Sequence, residues 1–266
     1  MINFFRKKRK KLADDNKVLK YARYAIGEIV LVVIGILIAL QLNTWKGNKI
    51  EQRKESIYLN NIKRDLQNQL TKIDTQIEYE KSIVEVAKPI LKSYKTNHNF
   101  TIDSSFTASI GTMSGRMTFV RVDPTYTELL SSGHIDIISN NDCKNSLITY
   151  YQDLERVEQI INKNNNLYTD AVYMNNIIKL SEIQLDNEFV FDDELAVKRS
   201  PVDVLTINES RLKEITISQL ENPENELIMI NAINFRYFIS EIHISFMTAQ
   251  KEKTKELIKT LENYND

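Results

Sequence analysis

Residues 29–40 read IVLVVIGILIAL, twelve apolar positions without a break. Twelve alone suit a buried helix or the core of a signal peptide as well as a membrane segment. Extended through Tyr24, Ala25, Ile26 and Gly27 before the run and through Trp45 after it, the stretch has 22 positions. At 1.5 Å per residue these span about 33 Å, enough for a bilayer core. Tyr21 and Tyr24 at one end and Trp45 at the other stand where interfacial aromatic belts form. A cleaved secretory signal is the rival reading. It needs a small-residue cleavage pattern, and Ala39-Leu40-Gln41-Leu42-Asn43 has no A-x-A. The sequence therefore predicts a transmembrane helix over residues 24–45.

Charge sets the direction of that helix. The whole chain has a formal net charge of -1, which argues against a nucleic-acid binder. Residues 1–45 carry nine basic and three acidic groups, a net +6, which leaves 26 basic against 33 acidic groups, or -7, for residues 46–266. Nine Lys and Arg precede the span, and only Lys46, Lys49, Arg53 and Lys54 lie in the fifteen residues after it. The positive-inside rule keeps a head of residues 1–23 in the cytoplasm and puts residues 46–266 outside, in the periplasm of a Gram-negative cell. In the head, Arg6, Lys7, Lys8, Arg9, Lys10 and Lys11 are expected on anionic lipid headgroups, each worth about 1 kcal/mol near the surface.

Inside the span, Glu28 lies five residues after Arg23. An ionisable group there is costly and calls for a partner. It can snorkel to the headgroups or pair with a basic neighbour, contact another helix in an oligomer, or handle protons against a partner's helices. Gly35 and Ala39 form a small-xxx-small pair, extended by Gly27, of the kind that lets helices approach closely.

Two blocks of the sequence resemble a known family. Residues 24–45, YAIGEIVLVVIGILIALQLNTW after a basic tail, form the first, and residues 124–138, PTYTELLSSGHIDII, followed by Tyr150-Tyr151, form the second. They resemble an uncharacterised family of single-pass membrane proteins from Bacteroidetes, known only as a domain of unknown function. The resemblance implies a bacterial inner-membrane protein. It supplies no activity and no catalytic residues.

Outside the span the pattern is helical. Only 6 Gly and 4 Pro occur in 266 residues, too few to punctuate a many-stranded sandwich or barrel. Leu59, Ile62, Leu66, Leu70, Ile73, Ile77, Val84, Ala87 and Leu91 make a heptad-like stripe with a gap near Glu80, and a kink or end is expected near Pro89. Asp123-Pro124 and Asn222-Pro223 are cap-then-proline starts. The first predicts a short helix to about Ser132, closed by Gly133. The second predicts a final helix to about Tyr264 with Ile230, Phe235, Phe238, Ile242, Phe246, Ala249, Leu257 and Leu261 on its apolar face. Between them Asn141 or Asp142 opens a helix reaching about Leu185, and residues 210–220 form a short one. The expected fold is mainly α. The N-terminal transmembrane helix continues into an elongated bundle of about three long helices plus short ones, with irregular insertions at about 97–141 and 186–222. The first insertion has room for short helices or a β-hairpin.

No pattern announces a reaction. The chain has no phosphate loop, no dinucleotide fingerprint and no H-E-x-x-H. A single cysteine, Cys143, rules out an internal disulfide and reads as a small residue packed near a helix cap. His134 and Asp136 lie two apart and read as a turn rather than an acid–base couple. Asp192-Asp193-Glu194 reads as a solvated loop before a cation site, and Tyr150, Tyr151, Phe235, Tyr237 and Phe238 as core and interface. The sequence thus predicts no catalytic residues, cofactor or metal. The expected function is interaction: a body outside the cytoplasm that binds a protein partner or ligand, in contact with membrane lipids and not with nucleic acid. The alternative is a subunit of an oligomeric membrane complex that uses Glu28 and the Gly35/Ala39 face.

Overall fold

The computed structural model describes residues 18–184, 207 and 209–265. Among these the chain is helical and contains no strand. It divides into two compact units, Met1–Ile57 and Tyr58–Asp266.

Helix α1, Val18–Asn97, has its first part in the N-terminal unit. Within this helix an 18-residue window reaches a mean hydropathy of 2.6 with none of it buried, so one helix is long and apolar enough to cross a membrane. Ile29, Leu31, Ile38, Leu40 and Trp45 are all more than half exposed, a continuous apolar surface that water does not favour.

In the second unit the remainder of α1 packs with two other long segments. Helix α2, Ser104–Met113, and α3, Pro124–Ser131, fill the first insertion, where no hairpin forms. Helix α4, Asn141–Asn164, runs directly into a π-helix, Asn165–Met174, and then α5, Asn175–Leu180. Helices α6, Ser210–Leu220, and α7, Pro223–Asn265, complete the unit. Asp74 pairs with Lys251, Glu80 with Ser240 and Tyr94 with Glu226, so α7 runs antiparallel to α1. Tyr150 with Thr254 and Asn164 with His243 make α7 antiparallel to α4 as well.

Local sequence explains most boundaries. Pro124 and Pro223 occupy first-turn positions where a missing N–H costs nothing. Asn140, one residue before the expected cap, accepts from the Asp142 and Cys143 amides. Gly133 closes α3 with φ 69°, the left-handed region that a side chain resists. Helix α1 does not end at Pro89 but runs eight residues further. Its turn is made by His98, whose φ of 57° puts a non-glycine residue in the left-handed cap position. Gly111 answers a different need, since a Cβ there would overlap the carbonyl oxygen of Gln184.

Two apolar clusters hold this unit. One joins Leu59, Ile62, Leu66 and Ile73 of α1 to Leu147, Tyr151 and Leu154 of α4 and to Met247, Leu257 and Leu261 of α7. The other joins Ile83 and Ala87 to Phe106, Ile110, Tyr173, Ile177, Met229 and Ile233. Between them, at the gap in the α1 stripe, lies a buried polar layer.

Candidate functional site

Glu80 closes that gap with its own side chain, which is fully buried. Residues 73, 76, 80, 83 and 87 follow one face of α1, so the spacing that buries Ile73 and Ile83 also buries Gln76 and Glu80. On α7, Arg236, Ser240 and His243 are spaced by four and three and share one buried face. The His243 Nδ1–H donates to Glu80 Oε1 at 2.8 Å, and Gln76 donates to the same oxygen at 3.0 Å. Ser240 donates to Oε2 at 2.7 Å, and Arg236 stands 3.5 Å from Oε2. Arg236 also donates to Ser240 at 2.6 Å and to the carbonyls of Met113 and Gly115, each at 3.1 Å.

The protonation pattern follows from these contacts. A carboxylate only accepts, so His243 carries its proton on Nδ1. Asn164 Nδ2 lies 3.3 Å from Nε2, on the other side of the ring. Glu80 and Arg236 balance each other's charge. Burial pushes the Glu80 carboxyl up, but the bonds from His243 and Ser240 and the Arg236 charge outweigh it and hold the group below its ordinary 4.5. The Ser240 hydroxyl oxygen meets Glu80 and Arg236 rather than a ring nitrogen of His243, so the trio lacks a nucleophile–base contact.

A second polar device lies beside the layer. Segment 116–123 belongs to no helix or strand, and its backbone is met by side chains instead. Asn165 donates to the Met117 carbonyl at 2.8 Å. Asn162 both accepts from the Phe119 amide at 3.2 Å and donates to its carbonyl at 3.1 Å. Glu158 accepts from the Arg121 amide, Gln69 from the Val122 amide and Asp65 from the Thr125 amide. Glu155 and Glu158 also flank the Arg121 guanidinium, which Asp123 holds at 2.8 Å. The Asp123 carboxylate is thereby taken and makes no cap bond to α3.

The π-helix is a third irregularity. Ile161, Asn165, Thr169, Tyr173 and Ile177 are buried at intervals of four, which wider i→i+5 turns can keep on one side. Tyr173 donates to the Ile110 carbonyl at 3.1 Å.

Buried phenols and the low Glu80 carboxyl bound the pH range of stability. The stabilisation from Glu80 is complete above 4.5 and is lost as pH falls through its lower folded value. Burial pushes Tyr150 up to about 12 from 10.0, and it raises Tyr79, Tyr151 and Tyr173 further. In the unfolded chain these phenols ionise near 10.0 while the folded ones stay protonated, so stability falls as pH rises above that value. Urea midpoints of the detergent-solubilised chain should form a plateau with both limbs. A curve that stays flat through the alkaline limb contradicts the burial of these phenols.

Other sequence-singled residues fall elsewhere. Cys143 is buried in the first cluster, as a residue packed near a cap. His134 precedes a 3-10 turn, Ile135–Ile137, while Asp136 pairs with Lys144 at 3.0 Å. Tyr150 and Tyr151 are core, Tyr151 stacking on Tyr126 at 4.2 Å. Phe235 and Phe238 correct the expected face of α7. They are 47% and 55% exposed, because Arg236, Ser240 and His243 take the inward positions. Phe235 stacks on Tyr168 at 5.8 Å, and exposed Leu167 and Ile228 stand on the same two segments. Gly35 and Ala39 are exposed on α1, Glu28 is half-buried, and Gly27 and Gly35 have open space where a Cβ would stand. Arg6, Lys7, Lys8, Arg9, Lys10 and Lys11 lie outside the described residues, as do Asp192, Asp193 and Glu194. A groove of about 470 Å³ lies between α4 and α7, lined by Tyr150, Leu257 and the 2.6 Å pair of Lys253 with Asp153. Among the described residues no group of three or more His, Cys, Asp and Glu is placed to hold a metal ion.

Fold and site together define a helical protein with one helix apolar enough to cross a membrane and a body built around a buried charged layer. The chain belongs to DUF6090, a family of unknown function whose model matches residues 28–170. That match includes Glu80 and the PTYTELLSSGHIDII block but not Arg236 or His243. No curated protein and no solved structure matches the chain.

Proposed function

We propose that this is a single-pass bacterial inner-membrane protein, N-terminus in the cytoplasm, whose helical body outside binds a partner protein or ligand without catalysis. The observation that carries the reading is the uncovered apolar surface of α1 between a basic head, residues 1–23 with nine basic and two acidic groups, and an acidic body of net charge -7. The exposed Phe235 and Phe238, with half-buried Tyr168 stacked on Phe235, support an interaction role, since aromatic side chains are enriched where proteins meet.

The test is photo-crosslinking in native membranes, with a reactive analogue at Phe235 or Phe238 and a control at exposed Glu262. A defined product from the two phenylalanine positions only is expected, together with protease access to the body in spheroplasts, where the outer membrane has been opened and the inner membrane is intact. Equal labelling at Glu262, or a body protected from protease in spheroplasts, overturns the reading.

The open space at Gly27 and Gly35 favours one alternative, a subunit of an oligomeric membrane complex contacting neighbours through Glu28 and the Gly35/Ala39 face. Under that reading Glu28→Gln and Gly35→Leu lower the oligomer size in mild detergent. An unchanged size counts against it.

A further inference from the structure

Lys46, Lys49, Arg53 and Lys54 follow Trp45 directly on α1, all four exposed. None of them is paired with a carboxylate among the described residues. At 100° per residue, with Lys46 at zero, Lys49, Arg53 and Lys54 lie at about -60°, -20° and 80°, whereas Glu51 and Glu55 fall at about 140° and 180°. The helix thus gathers its cations on one side and its acids on the other. Ile50 and Ile57, both exposed, share the cationic side.

Height matters as much as azimuth. Trp45 marks the end of the apolar run, and the four cations rise from it over about 14 Å. The headgroup layer takes up the first 5–7 Å or so, and unscreened attraction reaches about 8 Å further. Side chains on a helix lean toward its N-terminus. Because α1 leaves the span N-terminus first, these four lean back toward the bilayer, and long Lys and Arg stems extend that reach.

We propose that Lys46, Lys49, Arg53 and Lys54 form a collar that binds the phosphates of anionic lipids in the outer leaflet of the inner membrane. The proposal rests on the membrane-span reading above. It adds a second lipid contact at the opposite end of the span from the cytoplasmic Arg6–Lys11 run, and it gives α1 a fixed depth. The charge is complementary, and the surface is continuous with the apolar one that the bilayer covers.

Trp45 is the only tryptophan of the chain and stands beside the collar, so its fluorescence reads this leaflet alone. The full-length protein is reconstituted in phosphatidylcholine vesicles containing phosphatidylglycerol, and bromine-labelled acyl chains are placed on one lipid or the other. Quenching of Trp45 by labelled phosphatidylglycerol should exceed quenching by labelled phosphatidylcholine, reporting a local enrichment of about fivefold or more. The combined Lys46→Gln, Lys49→Gln, Arg53→Gln and Lys54→Gln variant should quench equally with both, and salt should erase the preference in the native chain.

Equal quenching in the native chain overturns the collar while leaving the span intact. Absence of quenching by either lipid overturns the span reading beneath it. Loss of the preference in inorganic phosphate, but not in chloride of the same ionic strength, assigns the cations to free phosphate and overturns the lipid assignment.

Discussion

Glu80→Gln is expected to lower the unfolding free energy of the second unit by about 3–5 kcal/mol, read from urea denaturation of the detergent-solubilised chain. The substitution keeps the shape and one accepting oxygen. It removes the negative charge that balances Arg236, whose side chain is 1% exposed. It also turns an amide N–H₂ toward either the His243 Nδ1–H or the Ser240 hydroxyl, both of which need an acceptor. An uncompensated buried cation costs several kcal/mol, whereas the intact pair adds little beyond an apolar equivalent. The double variant Glu80→Gln with Arg236→Met should therefore recover part of the loss, a coupling that a double-mutant cycle measures. A loss below about 1 kcal/mol, or strict additivity, means that the layer is hydrated and its charges are screened.

The layer has a structural consequence besides stability. It sits between two apolar clusters on long helices that could slide by one turn and still bury aliphatic side chains. Only one register puts Glu80 against Arg236, Ser240 and His243 together, so the polar contacts select it. A fixed register of α1 against α7 keeps the exposed surface of the second unit constant.

The sequence made the helices legible where apolar spacing and breakers agreed. The starts at Pro124 and Pro223 needed only a proline, and local chemistry decides those. The α1 stripe was legible as well, including its gap, but not what fills the gap. Apart from Gln76, one turn away, the partners of Glu80 lie more than 150 residues away. The same distance effect misplaced the inward face of α7. Phe235 and Phe238 outrank Arg236 and His243 on any scale of apolarity, yet Glu80 already occupied the opposing site, and a buried carboxylate needs donors, not rings. The π-helix was hidden for a different reason: buried residues four apart still resemble an α-helical pattern until their hydrogen bonds are known.

Asn162→Ala is the second large effect expected, a loss of about 2–4 kcal/mol in the same measurement. Segment 116–123 meets α4 with no neighbouring strand, so the Asn162 amide is the group that completes both the N–H and the C=O of Phe119. Phe119 is 2% exposed and anchored in the first cluster, which keeps its backbone from turning toward water once the amide is gone. Truncation leaves one donor and one acceptor unmatched, each costing about 1–3 kcal/mol. Asn162→Asp separates this account from simple loss of packing. The carboxylate still accepts from the Phe119 amide but faces its carbonyl with a second oxygen, so Asp should restore one bond and introduce a repulsion. An Asp variant as stable as the native chain would mean that water, not Asn162, satisfies the Phe119 carbonyl. A loss on the Ala scale in both variants places the requirement on the amide itself, because only an amide can stand in for the missing strand.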